Sequence, residues 1–299
     1  MSQQRPDDDG ARDDAARRDP APGTRSEACY ETSLGTSTVE EISLMGHSLS
    51  EDLMGQVGFA ELAFWMTAMR RPSLGELRTF EAVLVALADH GFTPTAIAAR
   101  LTYLSAPESI QGAIASGLLG GGSRFLGVTE DTGRFLHAVL EEAGVTGEEP
   151  LPDARYEELA RQAISEVRAE RRIVPGLGHP VHKQGDPRTP KLIEIAEDGG
   201  TRGHHLRLFE AMGRVSEEVL GRRLPLNGAG VCGAALADLG LPVDFLRGFA
   251  LLARTAGLLG QIAEERRNPV AADIYRHVDR NAEFVPPEQP SPEQPSEED

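Results

Sequence analysis

Apolar residues at helical spacing run through most of the chain and restrict its fold more than any other feature. One such face, with the i, i+3 and i+4 spacing of a helix, is formed by Leu77, Phe80, Val83, Leu84 and Leu87. Similar patterns cover residues 108–119, 129–143, 157–172, 207–220 and 243–265. Alternation typical of strands is scarce. The sequence therefore predicts an all-α fold.

Turn-forming residues mark where two of these helices begin. Pro72 and Ser73 precede the segment around Leu77, and serine is favoured as the residue that caps a helix N-terminus. Thr93 and Pro94 precede the next segment. Proline suits the first turn of a helix, because the N–H that it lacks would have no intrahelical partner there.

The acidic balance of the chain excludes some partners. Its 299 residues carry a formal net charge of −17 and a pI near 4.9, which disfavours nucleic acid because phosphates need a basic footprint.

Residues 1–25 lack the apolar stretch of a secretory signal. The apolar segment 245–263 is interrupted by Arg247, Arg254 and Gln261. We therefore expect a cytoplasmic protein, with a buried helix in that segment rather than a membrane span.

Cysteine and histidine patterns predict neither a disulfide framework nor a metal site. Cys29 and Cys232 are the only two cysteines and lie far apart, which fits a reducing compartment. Cys232 is expected to be a small buried residue. His204 and His205 are adjacent without spaced partners, a weak signal for a metal.

Both ends of the chain have the composition of disordered tails. Residues 1–36 mix acidic and basic residues with proline and glycine and show no apolar period. Residues 284–299 repeat Pro-Glu-Gln-Pro-Ser, which favours an extended chain. We expect neither segment to contribute to a core.

One internal segment breaks the helical pattern and concentrates polar side chains. Residues 175–188 hold several prolines and glycines, which argue against a regular element. The same segment carries His179, His182, Lys183 and Arg188. Cations between two helices suit an anionic ligand, while a solvated connection is the alternative.

Three further clusters carry polar residues at the ends of apolar segments. Ala-Asp-His-Gly at 88–91 contains His90, and the glycine-rich stretch 116–125 contains Arg124. Leu-Asn-Gly-Ala-Gly at 226–230 contains Asn227 and precedes the long helix that carries Arg254. A buried arginine must be paired, either with an acid of the fold or with an anionic ligand. His90 also has a simpler interpretation, since a histidine is favourable at a helix C-terminus.

Together, these clusters resemble the citrate synthase superfamily, and more closely its branch of citryl-CoA lyases and the C-terminal module of ATP-citrate lyase. The resemblance runs from about residue 40 to residue 275. The most specific parts are Ala-Asp-His-Gly, Ser-Gly-Leu-Leu followed by Gly-x-Arg-Phe, and Pro-Gly-x-Gly-His followed by Asp-Pro-Arg. They occur in the order that the family has them.

The resemblance implies a role for each cluster in joining or splitting a carbon–carbon bond between an acyl-CoA and a 2-oxo acid. The histidines that act on the oxo-acid or citrate oxygen would be His90 and His179. The residues that hold the substrate would be Arg254, Arg124, Asn227 and either Arg266 or Arg267. The cations that hold coenzyme A would be His182, Lys183 and Arg188. No metal is implied.

The resemblance also implies two helical domains that close over the substrates, and a homodimer. The large domain would comprise residues 37–127 and 241–283, and the small domain residues 128–240. Arg266 would reach into the active site of the partner subunit. Neither a membrane nor a nucleic acid is expected as a partner.

Two positions depart from the family pattern. Ala229 stands where the family has the aspartate that takes a proton from the acyl carbon, and alanine cannot accept a proton. Phe125 stands where citrate synthases have a histidine, a change that the lyase branch shares.

Three interpretations follow from Ala229. In the first, the enolate forms without proton abstraction, for instance by decarboxylation of a malonyl-type thioester. Alternatively another residue acts as the base, with Asp238, Glu264 or a histidine as candidates. In the third, the protein is a non-catalytic relative that binds an acyl-CoA or a carboxylate, or regulates a partner.

Overall fold

The computed structural model of the chain describes residues 30–178, 183 and 185–287. They belong to two compact units, divided between Gln56 and Val57. Most of the predicted tails, residues 1–29 and 288–299, lies outside the described residues. The division of the helical part into a large and a small domain stays a prediction.

The first unit holds a small antiparallel sheet that the helical pattern did not predict. Its strands are ordered β1 (Gly35–Ser37), β2 (Ile42–Leu44) and β3 (His47–Ser48). Met45 and Gly46 form a two-residue turn in which both residues have positive φ, as a tight hairpin requires. Strands of two or three residues are too short to show alternation in the sequence. A turn of π-helix at Leu49–Leu53 follows.

The second unit is built from helices, as the spacing predicts. Those that the structure describes are α1 (Phe59–Ala68), α2 (Leu74–Ala88), α3 (Pro94–Ser105), α4 (Ile110–Leu119), α5 (Val128–Glu142), α6 (Asp153–Ala169), α7 (Arg188–Asp198), α8 (His204–Leu220), α9 (Gly228–Asp238), α10 (Leu246–Arg267) and α11 (Ala271–Arg280). None of the helices in the described part of the chain combines the length and the apolar character that a membrane span needs.

The helix starts predicted near residues 73 and 94 are confirmed. The Ser73 side chain accepts a hydrogen bond from the Glu76 amide, and the Glu76 carboxylate accepts one from the Ser73 amide. This reciprocal pair satisfies two N–H groups that the first turn of α2 would otherwise leave without acceptors. Thr93 caps α3 in the same way through the Ala96 amide, and Pro94 occupies the first turn.

A helix of small residues, α9, lies at the centre of the second unit and was not predicted separately. It follows Asn227 directly, where the sequence analysis identified only a cluster of residues before the long helix α10. Nine of its eleven residues are buried, and it packs against α2, α5, α7 and α8. Because nearly every residue is glycine, alanine or apolar, the helix has no polar face and therefore no period to detect.

Glycines let α9 and α10 approach their neighbours at main-chain distance. A Cβ atom on Gly233 would lie 2.0 Å from the Thr129 carbonyl oxygen of α5. A Cβ atom on Gly257 of α10 would lie 1.8 Å from the Ala88 carbonyl oxygen at the end of α2. Neither contact leaves room for a side chain, so these crossings depend on glycine.

We predict that Gly233→Ala lowers the free energy of unfolding by about 1–3 kcal/mol, because the added methyl group forces α5 and α9 apart. Gly260→Ala is the matched control, since Gly260 lies in α10 with open space around its Cα. That change should stabilise the protein by about 0.5–1 kcal/mol through helix propensity. Urea unfolding measures both, and equal effects would contradict the crossing geometry.

Candidate active site

The site is organised around the C-terminus of α2, whose last carbonyl groups have no partners within the helix. Two arginines from other elements donate to them. Arg254 of α10 donates from Nε (3.3 Å) and Nη2 (3.2 Å) to the Leu87 carbonyl oxygen. Arg188, the first residue of α7, donates from Nη1 to the Ala86 carbonyl oxygen at 3.1 Å. Two cations therefore meet at the negative end of one helix.

Arg254 is a buried cation that no carboxylate among the described residues neutralises by direct contact. Its exposed fraction is 6%, and among the described residues its side chain donates hydrogen bonds to the Leu87 carbonyl and, from Nη1, to the Thr95 hydroxyl at 3.4 Å. Burial lowers the pKa of Arg254 from its usual value; the Asp89 carboxylate opposes this shift, and the Arg188 cation adds to it. A guanidinium that is buried without an acid of the fold is suited to an anionic ligand.

Arg188 is held by a fully buried carboxylate. Its Nε donates to Asp186 Oδ1 (3.0 Å) and its Nη2 to Asp186 Oδ2 (2.7 Å), a bidentate pair. The Gly228 amide also donates to Asp186, at 2.8 Å. Burial alone would raise the pKa of Asp186, but the hydrogen bonds from Arg188 and Gly228 outweigh it and hold that pKa well below its usual range.

Both arginines keep donors for a ligand. A guanidinium has five N–H groups, and three hydrogen bonds to described residues engage each of these two side chains. In each case two N–H groups remain, one on Nη1 and one on Nη2. This is the pair that grips a carboxylate through two parallel hydrogen bonds. The arrangement can therefore hold two carboxylates side by side.

His90 lies in the turn that follows α2, next to these carbonyl groups. Its neighbour Asp89 accepts hydrogen bonds from the Gly91 amide and from Gln261 Nε2, both at 2.9 Å. Gly91 has φ +71°, a conformation that favours glycine. His90 is exposed and follows Asp89, two residues after Ala88 ends α2 at the carbonyl groups that bind the two arginines.

The start of α9 forms the opposite part of the site. Asn227 accepts a hydrogen bond from the Gly230 amide and donates one to the Gly178 carbonyl, so both ends of its amide contact the backbone. Gly228 contacts Arg188 closely: a Cβ atom there would lie 2.2 Å from Arg188 Nε. Ala229 occupies the second position of α9 and is half-buried. Its side chain is a methyl group, at the position where the resemblance seen in the sequence leads us to expect a carboxylate.

A wide cleft has Asp186 in its wall. Its volume is about 790 Å³, and its walls combine apolar residues such as Ile193 and Leu226 with Lys183, Arg214 and Arg223. A cleft with an apolar floor and cations at its edge suits a ligand that has a flat apolar part and phosphates.

The other predicted site residues are not brought into this cluster by the described contacts. Arg124 and Phe125 are exposed in the turn between α4 and α5. Arg266 and Arg267 are exposed at the end of α10. His179 and His182 lie outside the described residues.

The two carboxylates considered as replacement bases are engaged elsewhere. Asp238 accepts hydrogen bonds from the backbone amides of Gly203, His205 and Leu206, so it caps the start of α8. Its side chain is 2% exposed. Glu264 forms an ion pair with Arg100. Neither side chain is available at Ala229.

The two histidines considered for a metal have protein partners. His204 Nδ1 lies 2.7 Å from the Tyr156 hydroxyl, and His205 Nδ1 lies 2.9 Å from Asp238. Cys232, expected to be buried, is confirmed as buried, and burial raises the pKa of its thiol to about 12.

Sequence reasoning missed the residues that hold the site together. Asp186 was noticed only as part of the Asp-Pro-Arg motif, although an acid two residues before an arginine is a local signal for an ion pair. Arg100 gave no signal, because its partners Gln261 and Glu265 lie more than 160 positions away in the sequence.

Comparisons with known proteins identify the family and the fold of this chain. A family model described as "Citrate synthase, C-terminal domain" matches residues 12–277. Among solved structures, citryl-CoA lyase from Hydrogenobacter thermophilus is 27% identical, with a TM-score of 0.74 over 88% of this chain and 98% of that one. ATP citrate lyase from Methanothrix soehngenii, in complex with citrate and coenzyme A, shares the fold at 21% identity, with a TM-score of 0.70 over 89% of this chain and 43% of that one.

Curated relatives are longer than this chain. A probable ATP-citrate synthase from Dictyostelium discoideum is 24% identical over 254 residues, which are 80% of this chain and 38% of the relative. The 2-methylcitrate synthase 1 of Corynebacterium glutamicum is 29% identical over 208 residues, 66% of this chain and 48% of the relative. The chain thus spans less than half the length of these two relatives. Since the family model covers most of its residues, the chain belongs to the citrate synthase family.

Proposed function

We propose that the protein joins or splits a carbon–carbon bond between an acyl-CoA thioester and a 2-oxo dicarboxylate, in the manner of citryl-CoA lyase and citrate synthase. The observation that carries this proposal is Arg254, a buried cation that has no carboxylate partner among the described residues and two N–H donors left. Burying a charge is costly, and an anionic ligand would offset that cost more fully than the Leu87 carbonyl alone.

In this proposal Arg254 and Arg188 each bind one carboxylate of the oxo acid or of its condensed product. Their remaining N–H pairs fit carboxylates bidentately. We therefore assign Arg188 to the carboxylate pocket instead of to coenzyme A, because its guanidinium lies at the same helix end as Arg254. Asp186 keeps Arg188 in place and balances its charge.

In this proposal, histidines transfer a proton to or from the substrate oxygen whose charge changes in the reaction. When the enolate attacks the oxo carbon, the carbonyl oxygen becomes an alkoxide and needs a positioned proton donor. Among the residues that the structure describes, the candidate is His90, in the turn after α2. The sequence motif proposes His179 as the second histidine. In the cleaving direction the same histidines would take the proton of the hydroxyl group.

Coenzyme A occupies the cleft beside Asp186 in this proposal. The cations at its edge, Lys183, Arg214 and Arg223, pair with its phosphates, and the apolar wall around Leu226 receives the adenine. The sequence adds His182 to this set. The ATP citrate lyase of Methanothrix soehngenii was solved in complex with citrate and coenzyme A, which supports a place for both ligands in this fold.

The enolate forms without a carboxylate base at position 229. Asp186 is the acid that lies at the start of α9, yet its low pKa makes it a poor proton acceptor. We propose that a malonyl-type thioester loses CO2 instead: the bond to the carboxylate breaks, its electron pair becomes the enolate, and this enolate attacks the oxo carbon. The alkoxide then takes a proton from a histidine.

A non-catalytic relative that binds an acyl-CoA or a carboxylate is the second candidate, and Ala229 is the observation that favours it. Both candidates predict that coenzyme A stabilises the fold, and only the first predicts turnover. Incubation with a panel of CoA thioesters and 2-oxo acids, read by mass, separates them. Citryl-CoA alone tests the cleaving direction. Binding of coenzyme A and citrate without any product would establish the second candidate.

We also propose a homodimer whose two helical domains close over the substrates. Arg266 and Arg267 are exposed at the end of α10, as residues that reach into a partner subunit would be. Light scattering at micromolar concentration tests this, and a monomer would contradict it.

We predict that Arg254→Gln weakens citrate binding roughly 10–100-fold, because two hydrogen bonds between charged groups are lost. The same change should alter the free energy of unfolding by less than about 1 kcal/mol, because relief from burying an unpaired charge offsets the hydrogen bonds lost at the Leu87 carbonyl. Calorimetric titration and urea unfolding measure the two effects. Arg78→Gln is the control, because Arg78 is an exposed residue of α2. Unchanged citrate affinity in Arg254→Gln would rule out the pocket.

We predict that Ala229→Asp does not raise activity, because a carboxylate there adds like charge beside a thioester enolate. The assay is deuterium exchange at the acyl carbon of acetyl-CoA, with wild type and variant side by side. Ala154→Asp is the control, since Ala154 is also the second residue of its helix, α6. Fast exchange by the wild type would reveal another base, and a gain in Ala229→Asp would show that the site had only lost its own.

A further inference from the structure

One face of α10 follows the last residues of α2 in register. Arg254, Gly257 and Gln261 are spaced by three and four positions, so they share a helix face. They contact three consecutive residues that lead to His90. Arg254 contacts the Leu87 carbonyl, Gly257 the Ala88 carbonyl, and Gln261 the Asp89 carboxylate.

The Asp89 carboxylate, next to His90, accepts two hydrogen bonds. Gln261 Nε2 donates to its Oδ1, and the amide of Gly91, the residue after His90, donates to its Oδ2. These two hydrogen bonds fix the turn from which the imidazole projects. The turn therefore takes its position from α10, the helix that also carries Arg254.

Arg100 determines which way the Gln261 amide points. Its side chain is fully buried, and its Nε donates to Gln261 Oε1 at 2.8 Å. Because a guanidinium only donates, the Gln261 oxygen must face Arg100 and its NH2 group must face Asp89. The acceptor and the donor of the Gln261 amide are thus used in a single orientation.

Arg100 is itself fixed by two carboxylates and a ring. It donates to Glu265 at 2.8 Å and also pairs with Glu264, while the Phe92 ring lies 4.9 Å from its Cζ. Glu265 accepts hydrogen bonds from the Val270 and Ala271 amides at the start of α11. A rigid chain of contacts therefore runs from α11 to the His90 turn.

We propose that Gln261 is a positioning residue: through Asp89 it sets the place of His90 relative to Arg254 and so matches the imidazole to the substrate oxygen while the arginine holds a carboxylate. The part of this inference that concerns substrate rests on the proposed function. The part that concerns His90 applies to the protein without any ligand.

Gln261→Met tests both parts with a neutral side chain, so electrostatics at the pocket stay the same. Citrate affinity, measured by calorimetry, should fall roughly tenfold through loss of the hydrogen bond from His90. The ring 1H–15N signals of His90, recorded without ligand at a pH where the imidazole is neutral, should shift. Gln162→Met is the control, because Gln162 is an exposed residue of α6 whose side chain donates to Glu166, and it should change neither quantity.

Asp89→Asn is the second variant, in case loss of the Arg100 acceptor unfolds Gln261→Met. It leaves the Arg100 contacts intact and removes one of the two hydrogen bonds to Asp89, so the His90 signals should shift here too. Unchanged His90 signals in a folded variant overturn the positioning role. A wild type that binds no citrate overturns the proposed function, and the His90 signals then still decide the positioning role.

Discussion

The contact between one face of α10 and the C-terminus of α2 is the interaction on which the site depends. It brings the Arg254 guanidinium against the Leu87 carbonyl and, at Gly257, lets the two backbones touch. A helix C-terminus offers carbonyl groups that need donors, and an arginine supplies them without neutralising its own charge. The fold thereby keeps a buried cation in place, and in the function we propose its charge is left for a ligand.

Two buried arginines, one on α10 and one packed against it, show how differently the same side chain can be used. Arg100 donates to Gln261 and pairs with the carboxylates of Glu264 and Glu265, so the fold neutralises its charge. Arg254 has no such acid among the described residues. Removing both acid partners of Arg100 would leave its buried charge unpaired, whereas Arg254 has no paired carboxylate among the described residues. This contrast is what separates a structural arginine from a binding one.

The sequence predicted the helices well, because their starts and faces are local features. Ser73 and Pro94 lie at helix starts and act through contacts within a few residues, and Leu77 to Leu87 carry an evident period. It did not predict α9, whose small residues have no polar face, or the strands before residue 49, which are too short to alternate. The motifs pointed to His90, Arg188 and Arg254. They did not indicate that both arginines bind the C-terminus of α2, because those contacts join positions about 100 to 170 apart in the sequence.

The most direct test of the carboxylate pocket is a crystal structure of the protein with citrate. The account predicts one citrate carboxylate within hydrogen-bond distance of both Nη atoms of Arg254, a second against Arg188, and the citrate hydroxyl facing His90. Arg254 should still donate to the Leu87 carbonyl. Citrate bound away from both arginines, or Arg254 paired with an acid of the protein, would contradict it.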